Sequence, residues 1–290
     1  MTMELGWPPH IEDYIKHAFR DASLNAPIDI LPYDECELSR ITGLSKTTCK
    51  AARKSVIDLY RVPGRTASDV VLNRVYLPSG IGALDAAFEG GMTMSWLVEI
   101  HGESGSGKTQ FCSSVTCHAL RNGRNVLWID TENSFFPERL VEISGGNDNI
   151  LHNISVARCT TVASLLSSLD TVAGLCEDSQ EPPLLVIDSI AAVFRESHPR
   201  KGAIHDIAGK LKSMKCITLC SNHVVADFAS ESSNEPYKPA LGNAWGHHVT
   251  CRLSIARDNT NSSSRIIRIL KSPTCGTVVI PARICTEGIV

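Results

Sequence analysis

A glycine-rich segment in the first half of the chain carries the residue types that bind phosphate in nucleotide-binding proteins. Gly102-Glu-Ser-Gly-Ser-Gly-Lys-Thr109 has the spacing of a phosphate-binding loop, and the apolar run Trp96 to Ile100 precedes it. Its glycines allow backbone N–H groups to point at phosphate oxygens. Lys108 is expected to reach the β and γ phosphates, and the Thr109 hydroxyl to ligate Mg²⁺. The segment therefore predicts a site for ATP and Mg²⁺ at the positive N-terminus of a helix.

The residues expected to contact the nucleotide come from this loop, from the first helical turn after it, and from one later strand. They are Gly102, Glu103, Ser104, Gly105, Ser106, Gly107, Lys108, Thr109, Gln110 and Asp188. Asp188 ends the apolar run Leu-Leu-Val-Ile, and a carboxylate at that point typically supports the Mg²⁺ shell of a phosphate-loop site. We therefore expect the metal at Thr109 and Asp188.

A second carboxylate is the candidate catalytic residue. Glu132, in Asp130-Thr-Glu, follows the apolar run Asn125 to Asp130. A carboxylate there can orient and activate the water that attacks the γ phosphate. The alternative interpretation is an acid favoured by the dipole of the helix that follows.

The alternation of apolar runs and helical patterns predicts an α/β fold, with a mostly parallel sheet flanked by helices. The expected strands cover residues 96–100, 125–130, 150–156, 184–188 and 216–221. The C-terminal part of the chain has a different pattern, without helices between the strands. Residues 249–256 and 264–271 predict an antiparallel hairpin, continued by 277–281. Ligands of such sheets bind at the carboxyl ends of the strands, where Glu132 and Asp188 lie.

Three parts are expected along the chain: an N-terminal helical domain at 1–60, a linker at 61–76 and a phosphate-loop ATPase core at 77–290. Residues 34–43 and 46–60 predict two short helices around Gly43-Leu-Ser45, an arrangement of the helix-hairpin-helix type. Lysines and an arginine on the second helix either bind DNA phosphates or form a solvated helix face, and both interpretations remain open.

Composition limits the classes of function. A net charge of −3 over 290 residues argues against a wholly basic nucleic-acid coat, so DNA contacts must come from local patches. The longest apolar run, Leu184 to Phe194, is too short for a membrane span and contains Asp188. Eleven cysteines without a Cys-x-x-Cys spacing indicate reduced thiols of the cytosol or nucleus. The first ten residues lack the features of a signal peptide.

Several motifs together resemble the eukaryotic RecA-type recombinase family, and their order and spacing are specific. They are Gly-Ile-Gly-Ala-Leu-Asp85, Gly102 to Gln110, Trp128-Ile-Asp-Thr-Glu132, Phe136-Pro-Glu-Arg-Leu140, Leu185-Val-Ile-Asp-Ser189 and Ala240-Leu-Gly-Asn-Ala-Trp245. The resemblance covers residue 77 to the end and implies a RecA-like core behind a small helical domain.

Within that family, the chain resembles a paralogue more than the strand-exchange recombinase. Ser221-Asn-His223 and Lys238-Pro-Ala-Leu-Gly242 are similar to the D-type paralogue, which is our prediction. Asp130-Thr-Glu132 and Glu138 to Ile143 are more similar to the B-type paralogue, which is the alternative.

The resemblance implies two loops that face DNA. The first follows the Asp188 strand and brings Arg195, Arg200 and Lys201; the second covers residues 224–240 and brings Lys238. By charge, the first loop is the better phosphate ligand. The second loop has the alternative interpretation of a solvent-exposed loop.

Departures from the family pattern bear on mechanism and assembly. His223 replaces a glutamine that can report the γ phosphate to the second loop, and its charge changes with pH. The segment from Ile204 to Cys216 is shorter than in the family, which predicts a local rearrangement. The linker contains no Phe-x-x-Ala, the motif by which the recombinase docks on its neighbour, so we do not expect a self-assembled filament.

These observations predict a DNA-dependent ATPase of homologous recombination in the nucleus. The expected partners are single-stranded DNA, other recombinase paralogues and the strand-exchange recombinase, in a hetero-oligomer away from membranes. One alternative is a regulatory or structural paralogue partner with a vestigial ATPase. The other is an unrelated phosphate-loop kinase, which would need a substrate pocket and an arginine-rich lid.

Overall fold

The architecture is taken from a computed structural model. It describes residues 6–60, 74–94, 96–177, 181–195, 202–226, 237–258 and 261–290. The chain divides into two compact units, residues 1–72 and 73–290. The predicted linker at 61–76 falls largely on residues 61–73, which lie outside the described ranges.

The first unit is helical, as its sequence predicts. Its helices are α1 Asp13–Asp21, α2 Glu35–Thr42 and α3 Lys46–Leu59. Helix α1 was not predicted; it adds Phe19, which is fully buried and stacks on Trp7 with ring centroids 5.3 Å apart. The unit therefore packs around one small core of its own, built from Ile11, Phe19, Leu24, Ile30, Leu38, Cys49, Ala52 and Val56.

The junction of α2 and α3 follows from local chemistry. Gly43 ends α2 with φ 72°, a left-handed conformation that glycine adopts without strain. The Ser45 hydroxyl then accepts a hydrogen bond from the Thr48 N–H at 3.1 Å and caps α3. The two helices predicted from the sequence are confirmed.

The second unit is built on a mixed sheet. Its strands are β1 Tyr76–Leu77, β2 Met92–Thr93, β3 Leu97–His101, β4 Val126–Asp130, β5 Ile154–Arg158, β6 Leu184–Asp188, β7 Ile217–Asn222, β8 Val224–Ala226, β9 Tyr237–Pro239, β10 Cys251–Arg257, β11 Ser264–Lys271, β12 Val278–Cys285 and β13 Gly288–Ile289. The order β13-β12-β11-β10-β3-β7-β6-β4-β5 forms the nine-stranded central sheet. Strands β10, β3, β7, β6, β4 and β5 pair in parallel, and β10 to β13 pair antiparallel. The predicted α/β fold with a C-terminal antiparallel part is confirmed.

Helices cover the sheet in two layers. They are α4 Gly82–Ala87, α5 Lys108–Arg121, α6 Pro137–Ile143, α7 Val162–Glu177, α8 Ala203–Ser213 and α9 Gly242–Gly246. Helix α5 packs on one face through Phe111 and Val115, in a core with Val98 and Ile100 of β3. Helices α7 and α8 pack on the opposite face with Leu97. Within the described ranges, no helix combines the length and apolar character that a membrane span requires.

Two details of the core differ from the sequence predictions. Residues 150–156 were predicted as strand, but Asp148–Asn153 form a 3₁₀ helix and β5 begins at Ile154. Ile150 is buried within this turn, so an apolar residue that serves a helical turn was mistaken for the start of a strand. The second loop, predicted as residues 224–240 without any strand, begins and ends in the antiparallel pair β8–β9, while residues 227–236 lie outside the described ranges.

The connection between α8 and β7 is short, and the sheet is continuous across it. Helix α8 ends at Ser213, and β7 begins at Ile217 without a glycine or proline between them. Strand β7 still pairs in parallel with both β3 and β6. A short connection therefore suffices to return the chain to its place in the sheet.

A buried polar cluster crosses the centre of the sheet. Glu99 of β3 has no exposed surface, and its carboxylate accepts hydrogen bonds from Asn222 Nδ2 at 2.6 Å and Trp245 Nε1 at 3.0 Å. Arg252 Nε of β10 also donates to it. Asn222 Nδ2 further donates to the Ala240 carbonyl at 2.9 Å. Glu99 therefore ties the strand before the phosphate-binding loop to both ends of the second loop.

Replacing Glu99 by alanine is expected to lower the free energy of unfolding by about 3 kcal/mol or more, because it leaves the Arg252 guanidinium without its buried counter-charge. Urea denaturation followed by circular dichroism measures this. Glu181→Ala is the matched control: Glu181 pairs with Arg124 at 3.0 Å, but its side chain is 69% exposed, so the change should stay below about 1 kcal/mol. Equal effects of the two substitutions would contradict this role of Glu99.

Candidate active site

The phosphate-binding loop joins β3 to α5 and has a shape that requires glycine. A Cβ on Gly102 would meet the Ile255 carbonyl oxygen at 2.2 Å, and Gly107 has φ 115°. Gly105 has φ 70°, and a Cβ there would meet the Arg257 guanidinium at 2.4 Å. The loop therefore packs against β10 in a backbone conformation that side chains at these positions would prevent, and glycines in such a loop allow N–H groups to point at phosphate oxygens.

Two arginines of the C-terminal hairpin donate hydrogen bonds to carbonyl groups of this loop. Arg265 Nε donates to the Ser106 carbonyl at 2.6 Å, and Arg257 Nε donates to the Gly105 carbonyl at 3.2 Å. They face each other in the β10–β11 ladder, and Arg265 is buried. Sequence reasoning missed both residues, although their positions on either side of the hairpin turn were visible.

The side chain of Lys108 folds back and contacts the phosphate-binding loop itself. Its Nζ donates to the carbonyls of Gly102 and Glu103, each at 2.9 Å, and the residue is buried. Burial lowers the pKa of Lys108, and the charges of Asp188 and Glu132 oppose that shift. A cation held in this cradle by neutral carbonyls fits a phosphate ligand, because phosphate oxygens offer it stronger partners.

The two expected metal ligands meet at the carboxyl end of β6. Thr109 Oγ1 donates to Asp188 Oδ2 at 2.7 Å, and Ser134 Oγ donates to the same oxygen at 3.1 Å. Ser221 Oγ donates to the other oxygen, Oδ1. A carboxylate surrounded by hydroxyl groups at the first turn of α5 is the hard-oxygen donor set that Mg²⁺ prefers. These residues fit the metal that the phosphate-binding loop implies.

Glu132 lies at the same edge of the sheet, and protein groups contact both of its carboxylate oxygens. Arg195 Nη1 lies 2.7 Å from Oε1. His223 Nε2 lies 2.8 Å from Oε2, and Ser189 Oγ donates to the same oxygen at 3.1 Å. The hydrogen bond from His223 is the main cause that lowers the pKa of Glu132 to about 2; the charges of His223 and Arg195 add to it, and burial opposes it.

The remaining predicted nucleotide residues have distinct environments. Tyr237 of β9 hydrogen bonds to Glu103, which raises the pKa of Tyr237. Ser104 is exposed at the loop, and Ser106 is buried. Gln110 Oε1 accepts a hydrogen bond from Arg139 Nε of α6 at 2.8 Å. Arg139 was not predicted, and it ties α5 to the C-terminal strands through the carbonyls of Cys285 and Thr286.

The predicted DNA-contacting residues are distributed unevenly. Arg195 follows the 3₁₀ helix Ala192–Phe194 and lies on Glu132, so the structure brings it to the candidate catalytic residue. Lys238 lies on β9, opposite Val225 in the ladder. Arg200 and Lys201 lie outside the described residues. Of these four residues, Arg195 is therefore the one whose contact with the candidate catalytic residue is described.

Comparison with known proteins agrees with this arrangement. A family model described as Rad51 matches residues 72–290. The chain is 28% identical over 291 residues to the DNA repair and recombination protein RadA of Cenarchaeum symbiosum, covering 89% of this chain and 71% of the relative. It is 31% identical over 284 residues to a meiotic recombination protein DMC1 homolog of Lilium longiflorum, covering 88% and 79%. It is 26% identical over 296 residues to DNA repair protein RAD51 homolog 1 of Arabidopsis thaliana, covering 93% and 86%.

The low pKa of Glu132 predicts an acid-dependent contribution to stability. Its folded pKa of about 2 lies below the ordinary value of 4.5, so the carboxylate stabilises the fold above pH ~4.5 and loses that effect as the pH falls toward 2. The full shift corresponds to at most about 3 kcal/mol, and less after screening at the exposed Arg195.

Chemical denaturation of wild type and Glu132→Gln at about pH 6.5 and about pH 3.5 measures this contribution. The difference in unfolding free energy between the two proteins should be larger at the higher pH. A difference that stays constant with pH would show that Glu132 is not stabilised as an anion.

Proposed function

The chain belongs to the Rad51 family, and from this premise we propose that it is an ATP-binding, DNA-dependent ATPase of double-strand-break repair by homologous recombination. Its relatives are named as DNA repair and recombination proteins. Family membership excludes the alternative of an unrelated phosphate-loop kinase. The proposal rests most directly on the 2.7 Å hydrogen bond between Thr109 and Asp188, which joins the phosphate-binding loop to the carboxylate that ends β6.

Each residue group of the candidate active site has a proposed role. Lys108 and the N–H groups of residues 102–110 hold the phosphates, and Thr109 and Asp188 hold Mg²⁺, which neutralises phosphate charge when it is bound. Glu132 orients and deprotonates the attacking water. Hydrolysis would then release a nucleotide-dependent state of the loops rather than form a product for other reactions.

DNA contact is proposed at the two loops that leave this edge of the sheet. The first starts at Arg195, and the second is framed by β8 and β9 with Lys238. Arg200 and Lys201 are proposed to act with Arg195 on phosphates of single-stranded DNA. The proposed place of action is therefore the nucleus.

A heteromeric assembly is supported by an edge strand of the sheet, within the part of the chain that the structure describes. β5 is the last strand of the order, and Val156 on it is 47% exposed. An apolar groove of about 280 Å³ lies between this edge and α7, lined by Val156, Ala157, Val172 and Leu175 among others. An extended segment of another recombinase paralogue can add to β5 as a further strand and place an apolar side chain in this groove.

The proposed partners are thus other recombinase paralogues and, through their complex, the filament of the strand-exchange recombinase. Assignment to the D-type paralogue, with the B-type as the alternative, stays a prediction supported by Ser221-Asn-His223 and Lys238 to Gly242. A further candidate function is a regulatory partner with vestigial hydrolysis. The observation that favours it is Glu132, whose low pKa makes it a weak base while Arg195 and His223 hold it.

Nucleotide binding and phosphate release, with and without single-stranded DNA, test the catalytic proposal. Lys108→Ala should weaken ATP binding by tenfold or more, because it removes the only cation of the loop motif. Glu132→Gln should keep binding within about twofold and lower DNA-stimulated turnover by about 100-fold or more. Glu181→Gln, the same change of charge at a remote ion pair, should leave both unchanged. Absence of DNA-stimulated turnover in the wild type would favour the vestigial alternative, and full turnover in Glu132→Gln would contradict the catalytic role of Glu132.

Affinity purification from cells with identification of bound chains by mass spectrometry tests the assembly. Val156→Lys should remove the recombinase paralogues, because it puts a charge into the apolar groove at β5. Val279→Lys is the matched control on β12, where the valine is 57% exposed. Retention of the paralogues by Val156→Lys, or their loss from Val279→Lys, would contradict docking at this edge.

A further inference from the structure

The contact between Arg195 and Glu132 joins the start of the first loop to the candidate active site. Arg195 Nη1 lies 2.7 Å from Glu132 Oε1; the arginine side chain is 54% exposed, and that of the glutamate 25%. The other carboxylate oxygen is taken by His223 and Ser189. In this state Glu132 has no carboxylate oxygen without a protein partner.

A carboxylate held in this way is poorly suited to water activation. General-base catalysis is most effective when the pKa of the base lies near the working pH. The hydrogen bond from His223, and after it the charge of Arg195, hold the pKa of Glu132 far below that range. One of the partners must leave Glu132 before it can take a proton from water.

Arg195 is the partner that can leave most easily. Ser189 is fully buried, and its N–H is bonded to Thr131 Oγ1 at 2.7 Å. His223 lies at the base of the β8–β9 pair, where its carbonyl accepts from the Ala240 N–H at 2.8 Å. Arg195 follows the 3₁₀ helix Ala192–Phe194 and exposes more than half of its side chain. Its guanidinium binds a phosphate at least as well as a carboxylate.

We propose that a backbone phosphate of single-stranded DNA and the Glu132 carboxylate compete for the Arg195 guanidinium. Phosphate binding takes Arg195 away from Glu132, and the freed carboxylate then acts on water. Arg195 is thus a positioning residue that acts through Glu132, and the same contact makes ATP turnover respond to DNA. The inference rests on the proposed function: the competition needs the proposed contact of Arg195 with DNA, and the action of the freed carboxylate needs the proposed catalysis.

Linkage supplies a test that needs no hydrolysis, because the coupling between the two ligands of Arg195 is reciprocal. Affinity for a single-stranded oligonucleotide is measured without nucleotide in wild type, Glu132→Gln, Arg195→Ala and the double variant. Glu132→Gln should tighten binding by about two- to fivefold, the range of a partly exposed ion pair. Arg195→Ala should weaken binding, and adding Glu132→Gln to it should change nothing further.

Two comparisons separate this competition from a general charge effect. Glu181→Gln changes the net charge equally and should leave affinity unchanged. The dependence of log affinity on log salt should be shallower by about 0.7 in Arg195→Ala, because that variant loses one phosphate contact on a single strand. Glu132→Ala repeats the measurement with a variant that cannot accept hydrogen bonds from Arg195. Additive effects of the two substitutions, or no binding of the oligonucleotide by wild type and Glu132→Gln, would overturn the inference.

Turnover distinguishes this inference from the proposed function. If wild type hydrolyses ATP, Arg195→Ala should raise the DNA-free rate and lose the stimulation by DNA, while Arg195→Lys should keep part of both wild-type properties. DNA-stimulated turnover in Arg195→Ala would overturn the inference and leave the proposed function standing. Non-additive DNA binding in a chain that never hydrolyses ATP would overturn the proposed catalysis and leave the competition for Arg195 standing.

Discussion

Parallel pairing of the central strands in one register is the constraint on which the candidate site depends. Asp130 of β4 lies opposite Asp188 of β6, and His101 of β3 lies opposite Asn222 of β7. Because parallel strands end at the same edge, the phosphate-binding loop, both carboxylates and both loop starts converge there. The buried Glu99 cluster fixes the strand before the loop to the ends of the second loop.

Two neighbouring carboxylates at this edge have opposite surroundings. Asp188 accepts from the hydroxyl groups of Thr109, Ser134 and Ser221, which leaves its charge available to a cation. Glu132 instead contacts Arg195 and His223, so protein groups already pair with its negative charge. Different environments thus assign different tasks to two similar groups: one is ready for a metal, and the other is held back until its partners move.

Sequence alone predicted the parts of the site that are local. The spacing of the glycines with Lys108 and the carboxylate that ends an apolar strand are each properties of a few consecutive residues, and so are the strands that present them. The hydrogen bond from Arg265 to the loop and the contact of Arg195 with Glu132 were not predictable in this way. Such contacts join residues far apart in the chain, and only the packing of the hairpin and the loop starts brings them together. The 3₁₀ helix at 148–153 was missed because short apolar patterns do not distinguish a turn from a strand.

The central claim is that the starts of the two loops hold Glu132 as a weak base. The side-chain carboxyl ¹³C resonance of Glu132, assigned by comparison with Glu132→Gln, reports its protonation directly. Without DNA, the resonance should stay constant from about pH 7 down to about pH 4, since the pKa of Glu132 is about 2. With single-stranded DNA bound, it should begin to titrate within that range. Titration near pH 4.5 without DNA, or no change when DNA binds, would contradict the account.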